Sequence, residues 1–243
     1  MDSRGTLYGV GVGPGDPDLM SLKAARILKS APVIAYFAKK GAPGNARRIV
    51  DGQLNPEAVL IRLDYPFTTE LPEADPAYRE ALIAFYDASA ARLAERLDRG
   101  QDVAVLCAGD PFFYGSYAHL HERLAETHKC EVIPGITAMS GCWTRASTPM
   151  TCGDEMLAVL SGTMDEDALA RRLAACDAAV IMKVGRNLAK IRHALARAGM
   201  LDRAIYVERG TMPEERILRL ADKPDDEAAY FGIVLVPGAR KPL

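Results

Sequence analysis

The sequence predicts an α/β protein of two domains, on three observations. Short aliphatic runs alternate with stretches whose apolar residues recur every three or four positions, the pattern of strands followed by helices. Most of the aliphatic runs stop at glycine, proline or aspartate, residues that turn the chain out of a strand. The pattern breaks once, at Thr148-Pro149 and the loop Thr151-Cys152-Gly153-Asp154, and then resumes. A chain of 243 residues holds one large domain or two small ones at ~100 to 200 residues each. The break divides it into residues 1–148 and 149–243.

In the first part, strands are expected at Leu7 to Val12, Val33 to Phe37, Val59 to Leu63, Val103 to Cys107 and Glu131 to Ile133. Leu63 to Pro76, with its prolines and Thr68-Thr69-Glu70, reads as a long loop. Tyr78, Leu82, Phe85, Ser89, Leu93 and Leu97 then fall three or four apart with Arg and Glu between them. That spacing predicts a long amphipathic helix closed by Gly100. Asp110-Pro111 is expected to open a further helix, because Asp accepts hydrogen bonds from the unpaired amides of a helix start and Pro has no amide to leave unpaired there. In the second part, strands are expected at Leu157 to Leu160, Ala179 to Val184, Ile205 to Val207, Ile217 to Leu220 and Ile233 to Val236. Helices are expected at about Glu166 to Cys176 and Asn187 to Ala198.

Three strand ends carry the functional signal. Gly9-Val10-Gly11-Val12-Gly13-Pro14-Gly15-Asp16, Cys107-Ala108-Gly109-Asp110-Pro111 and Val132-Ile133-Pro134-Gly135-Ile136-Thr137 each put glycine and proline where aliphatic residues stop. In parallel α/β sheets this is where ligands are held. The first loop is not a dinucleotide fingerprint, which needs glycines at i, i+2 and i+5. From Gly9 the third position is Pro14, and from Gly11 it is Asp16. No GxxxxGK[ST] is present, which disfavours a phosphate ligand. What remains is a loop whose main chain can approach a ligand closely, or a tight turn with no ligand at all. Asp110 likewise reads as a cap or as an acceptor for a ligand's hydroxyl or amine.

Composition narrows the classes. An apolar fraction of 49% with 26% charged residues suits a globular protein with a real core. A formal charge of −2 argues against nucleic acid as partner, since a basic surplus is the usual footprint. No apolar run approaches the ~18 residues of a membrane span, and the first residues lead straight into a strand, so the chain is expected to be cytoplasmic. Cys107, Cys130, Cys142, Cys152 and Cys176 are odd in number and never spaced as CxxC, and His119 and His121 are two apart, on different helix faces. No metal site is expected.

GVGVGPGDPDLMSLKAARIL, LCAGDPFFYGSY and VIPGITAMSGCW, in this order and spacing, resemble the tetrapyrrole methylases, the S-adenosylmethionine enzymes of cobalamin and sirohaem synthesis. The resemblance covers nearly the whole chain. AYFAKKGAPGNAR, YPFTTE, VIMKVGRNLAKIR and YVERGTMPEERI look like the branch that methylates the C20 meso carbon of precorrin-2. The resemblance implies two αβα domains with a cleft between them, S-adenosylmethionine as cofactor, and a homodimer. It also places cofactor contacts at Pro14, Ala108, Gly109, Asp110, Phe113, Thr137, Ala138, Val184 and Gly210. Many relatives carry Tyr-Met-Gly where this chain has Lys183-Val184-Gly185, and Pro-Gly-Val-Ser-Ser where it has Pro-Gly-Ile-Thr-Ala, so the family's contacts carry over there to the backbone rather than to side chains.

Methyl transfer from a sulfonium to an electron-rich meso carbon needs in-line placement and exclusion of water, and no covalent enzyme intermediate. Either a base removes the proton left on the methylated carbon or solvent does so. Tyr114 and Asp110 are the candidate catalytic residues. A substrate rich in carboxylates calls for guanidinium and ammonium groups, and Lys39, Lys40, Arg47, Lys183, Arg186 and Arg209 are the candidates for holding it. Alternatives are a cobalt-loaded substrate, another tetrapyrrole position, ribosomal RNA, or a non-catalytic binding module on the same fold.

Overall fold

A computed structural model describes residues 4–66 and 76–239. The chain forms two units, Met1–Thr137 and Ala138–Leu243.

The first unit runs β1 (Leu7–Gly11), α1 (Leu22–Ser30), β2 (Val33–Lys39), α2 (Asn45–Ile49), β3 (Val59–Tyr65), α3 (Pro76–Asp98), β4 (Val103–Cys107), α4 (Tyr117–Leu124) and β5 (Cys130–Ile133). Much of the expected loop between Leu63 and Pro76 lies outside the described residues. Its strands form one parallel sheet in the order β3-β2-β4-β1-β5. Both faces of such a sheet are covered, which is why β4 is buried at every position and reads as an unbroken aliphatic run. On one face, Leu7, Val33, Val103 and Val105 pack with Leu93 and Leu97 of α3 and Tyr117 and Leu120 of α4. Ile34, Ala104 and Leu106 alternate with these and project to the other face. There Tyr36 lies against Gly44, the residue that opens α2.

This strand order fixes the place of a site. From β1 the chain crosses to β2, and from its neighbour β4 it crosses the opposite way to β5. The connections after two adjacent strands diverge, and the carboxyl ends of such strands are where open α/β sheets hold ligands.

The second unit runs α5 (Ala138–Arg145), β6 (Leu157–Ser161), α6 (Glu166–Ala174), β7 (Ala178–Met182), α7 (Leu188–Arg197), β8 (Ile205–Glu208), β9 (Arg216–Arg219) and β10 (Gly232–Val236). The sheet order is β6-β7-β10-β8-β9, and β6 with β7 is its one parallel pair. Leu169, Leu173, Ile191 and Leu195 of α6 and α7 pack with Ala179, Ile181, Val234 and Val236 on one face. Cys142 of α5 packs with Val180, Val207, Ile233 and Leu235 on the other. Each sheet is therefore an αβα layer, as expected.

Two details differ from the sequence reading. The division falls at Thr137/Ala138 rather than at 148/149, because α5 joins the second sheet through its apolar face, where Met139 and Trp143 flank Cys142. Asp110-Pro111 opens a turn and not a helix: the Phe113 amide donates to the Asp110 carbonyl at 3.3 Å and the helix begins only at Tyr117. Tyr114 intervenes at φ 54, a left-handed conformation that a right-handed helix cannot propagate through.

Candidate functional site

The tips of β1, β4 and β5 converge, and glycine is what lets them. A Cβ on Gly135 would lie 2.1 Å from the Gly109 carbonyl oxygen and 2.9 Å from the Gly11 Cα, and a Cβ on Gly11 would meet the Gly135 amide nitrogen at 2.6 Å. Side chains are excluded there by main chain on both sides. Gly13 and Gly109 add an isolated bridge, with the Gly109 amide donating to the Gly13 carbonyl at 2.7 Å. Both take positive φ, 81° and 72°, where glycine is strain-free.

Asp110 ties two of these tips together. Its Oδ1 accepts from the Phe112 amide at 2.9 Å and its Oδ2 from the Gly135 amide at 3.0 Å. Both carboxylate oxygens are engaged by main chain, so capping and bridging are what this side chain does in the structure. Next to the β1 tip, Asp16 accepts from the Asp18 amide at 2.9 Å and caps the short turn Pro17–Leu19. That turn and Pro134, Gly135 and Ile136 line an open groove of about 390 Å³.

Of the sequence candidates in the first unit, the sheet brings Ala108, Gly109 and Asp110 at the end of β4 beside Pro14, which follows the β1 tip. Pro14 and Gly109 are buried, Ala108 is exposed and Asp110 half-buried. Phe113 and Tyr114 stack edge to face at 5.0 Å, with Tyr114 52% exposed. Thr137 ends the unit, partly exposed.

In the second unit Ala138 opens α5. Val184 is fully buried among α6 and α7, so only its main chain is available to a ligand. Gly210 is buried against α5, where a Cβ would sit 2.6 Å from Cys142 Sγ. Burial pushes that thiol up to about 12, which keeps it protonated at neutral pH. Lys39 and Lys40 are exposed at and just past the end of β2, and Lys183 and Arg186 are exposed around Val184. Arg47 pairs with Asp51 at 2.9 Å and Arg209 with Glu208 at 3.2 Å, so these two already have carboxylate partners.

Backbone strain singles out the same segments. Among the described residues the non-glycine residues at positive φ are Tyr114, Ser147, Lys183, Arg209 and Thr211. All but Ser147 lie in the GDPFFYG, MKVG and ERGT stretches. Each costs about 1–2 kcal/mol, and such strain gathers where function holds it.

Two further residues meet that no sequence signal pairs: Glu215, in the YVERGTMPEERI stretch, and Arg145, outside every quoted stretch. Glu215 accepts from the Thr211 amide at 2.7 Å, and Arg145 grips the same carboxylate with Nε 2.9 Å from each oxygen. The guanidinium holds the Glu215 carboxyl below its ordinary range. Seventy positions separate the two, and no motif joins them.

Residues 6–222 match the family model of Tetrapyrrole (Corrin/Porphyrin) Methylases. The chain belongs to this family. Among tetrapyrrole methylases it is 58% identical over 234 residues to a precorrin-2 C(20)-methyltransferase of Sinorhizobium sp, covering 96% of each chain. It is 32% identical over 236 residues to a cobalt-precorrin-2 C(20)-methyltransferase of Salmonella typhimurium, again covering 96% of each. Its fold superposes with a TM-score of 0.65 on a uroporphyrin-III C-methyl transferase from Thermus thermophilus complexed with S-adenyl homocysteine, at 24% identity over 96% of this chain and 92% of that one.

Proposed function

We propose that this tetrapyrrole methylase transfers a methyl group from S-adenosylmethionine to C20 of precorrin-2, giving precorrin-3A. The observation that carries the reading is the 58% identity, over nearly the whole of both chains, to a precorrin-2 C(20)-methyltransferase. The 32% identity to the enzyme named for the cobalt-loaded substrate favours the metal-free macrocycle.

S-adenosylmethionine supplies an electrophilic methyl group on a good leaving group. Within the first unit the residues present fit such a ligand, with glycine-bearing strand tips at a topological switch point and Ala108 exposed at one of them. In the second unit the left-handed residues Lys183, Arg209 and Thr211 lie in the stretches that the resemblance assigns to the donor. On this reading the main chain at Pro14, Ala108, Gly109, Thr137, Ala138, Val184 and Gly210, with Phe113 beside it, holds the donor. Asp110 sets the spacing of the β4 and β5 loops. Tyr114, half exposed in its strained turn, is the candidate to take the proton from C20. Lys39, Lys40, Arg47, Lys183, Arg186 and Arg209 are the candidates for orienting the substrate carboxylates. No described helix is long and apolar enough to cross a membrane, and the scattered cysteines stay free. Both accord with a cytoplasmic enzyme, for which we propose a homodimeric state.

The test is incubation of the purified protein with S-adenosylmethionine and either precorrin-2 or its cobalt form, followed by mass and visible absorbance. Gain of one methyl on the metal-free macrocycle is expected. Methylation of the cobalt form alone, or of neither, overturns the proposal.

A further inference from the structure

The strained loop after β8 is supported by a residue of its own stretch, Glu215, and by one outside every quoted stretch, Arg145. Arg209 stands at φ 49 and Thr211 at φ 69, the latter β-branched and so poorly suited to the left-handed region. Backbone of this kind persists where its surroundings over-determine it. Gly210, between them, is pressed against Cys142 of α5. The Thr211 amide donates to Glu215, whose side chain is only 13% exposed. Arg145 closes the arrangement with Nε 2.9 Å from both Glu215 oxygens and its terminal nitrogen 2.8 Å from Oε1. Arg145 is the last residue of the helix that Ala138 opens, so one ion pair joins that helix to the loop carrying Gly210.

We propose that Arg145 and Glu215 are a positioning pair: they hold the Arg209–Thr211 main chain in the conformation that receives the S-adenosyl ligand. The inference rests on the reading of the chain as an S-adenosylmethionine-dependent methylase. Arginine brings two nitrogens of one rigid plane to the carboxylate, Nε to both oxygens and a terminal nitrogen to Oε1, where an ammonium brings one nitrogen on a flexible stem. Neither residue is expected to touch the ligand.

The experiment is calorimetric titration of S-adenosylhomocysteine into the full chain, with melting temperature and steady-state kinetics in parallel. Arg145→Ala is expected to weaken binding about threefold to fivefold, because a pair that acts only by holding the loop can cost the ligand no more than the pair itself contributes to that conformation. It should raise KM for S-adenosylmethionine while kcat at saturation holds. Because Arg145 is 57% exposed, the melting temperature should move by less than roughly 4 °C. Thr211→Gly in the Arg145→Ala background should restore most of the affinity, since glycine adopts φ 69 without strain. If Arg145→Ala does not fold, Arg145→Lys carries the comparison: weaker binding at an unchanged melting temperature supports the pair's role. Wild-type affinity in Arg145→Lys and Glu215→Gln overturns it and leaves the proposed function standing. A wild-type protein that binds no S-adenosylhomocysteine overturns the proposed function itself, and the inference with it.

Discussion

Gly135→Ala isolates the contact among the three strand tips. The added methyl would start 2.1 Å from the Gly109 carbonyl oxygen, with the Gly11 Cα at 2.9 Å and the Gly109 carbonyl carbon at 3.0 Å. Reaching an ordinary contact of 3.4 Å moves one tip by about 1.3 Å, and main chain on both sides has no rotamer to swing away. Overpacking of this kind costs about 1–3 kcal/mol, and an unyielding neighbour puts it at the upper end. The same movement pulls the Gly135 amide from the Asp110 carboxylate, a charge-assisted bond of about 1.5 kcal/mol. The total is about 4.5 kcal/mol against a stability of roughly 5–15 kcal/mol, so the variant folds but melts about 9–18 °C lower. Gly41→Ala is the control: at φ 80 with nothing within 4 Å, it bears only left-handed strain of about 1 kcal/mol, or roughly 2–4 °C. Differential scanning calorimetry on both, with an S-adenosylhomocysteine titration, separates packing from strain. A Gly135→Ala protein that melts with Gly41→Ala and binds S-adenosylhomocysteine as wild type does would refute the convergence of the tips.

Asp110→Asn replaces one acceptor by a donor, so one of the Phe112 and Gly135 amides should lose its partner, at about 1–3 kcal/mol. Hydrogen exchange should accelerate at one of the two amides; equal protection at both would show that the carboxylate does not bridge the loops. Glu215 gives a pH signature. Arg145 depresses its carboxyl from the ordinary 4.5, so the stabilisation is complete above that value and is lost as pH falls through the lower folded one. With Arg145 more than half exposed, the effect is under about 1 kcal/mol. The melting-temperature gap between wild type and Glu215→Gln should narrow as pH drops below 4.5, and a gap that widens there reverses the sign of the argument. Cys152 is the exposed thiol, while Cys107, Cys142 and Cys176 are buried, so brief alkylation of the native protein should label Cys152 first by peptide mass. Charge reversal at Lys39 and Lys40 should raise KM for the tetrapyrrole; unchanged substrate affinity removes both from that role.

The parts of the fold that were legible in the sequence are those where burial leaves a one-dimensional trace. Val103 to Cys107 was readable to the residue because a central parallel strand is apolar on both faces. Leu93 and Leu97, four apart on α3, face the core as the spacing requires. Strand direction in the second sheet left no trace, because parallel and antiparallel pairing are set by where the connections return. Asp110-Pro111 is ambiguous for a chemical reason: Asp followed by Pro opens a helix or a type I turn equally well, and the left-handed Tyr114 that rules out a helix has no sequence signature. The place of α5 was hidden similarly, since Pro149 is a visible break whereas the choice of sheet depends on what Cys142 packs against. The pairing of Arg145 with Glu215 was out of reach, because nothing local links an arginine at a helix end to a glutamate in a distant loop.

The glycines of the three strand ends change meaning once the tips are seen together. As sequence, Gly11, Gly109 and Gly135 read as bare main chain left open to a ligand. In the structure each is spent on the others: the space a side chain would need is filled by neighbouring backbone, and what faces outward between them is Ala108. Glycine therefore assembles the edge, and on the proposed reading presentation to a ligand falls to main chain beside it and to loops held at positive φ. On the proposed reading this explains why Lys183-Val184-Gly185 can replace Tyr-Met-Gly. The Val184 side chain points into the α6–α7 core and Lys183 outward, so a change of side chain leaves the presented backbone in place. Such a site should tolerate substitution at Lys183 in the donor's affinity while responding sharply to any change, like that at Gly135 or Arg145, that moves the main chain itself.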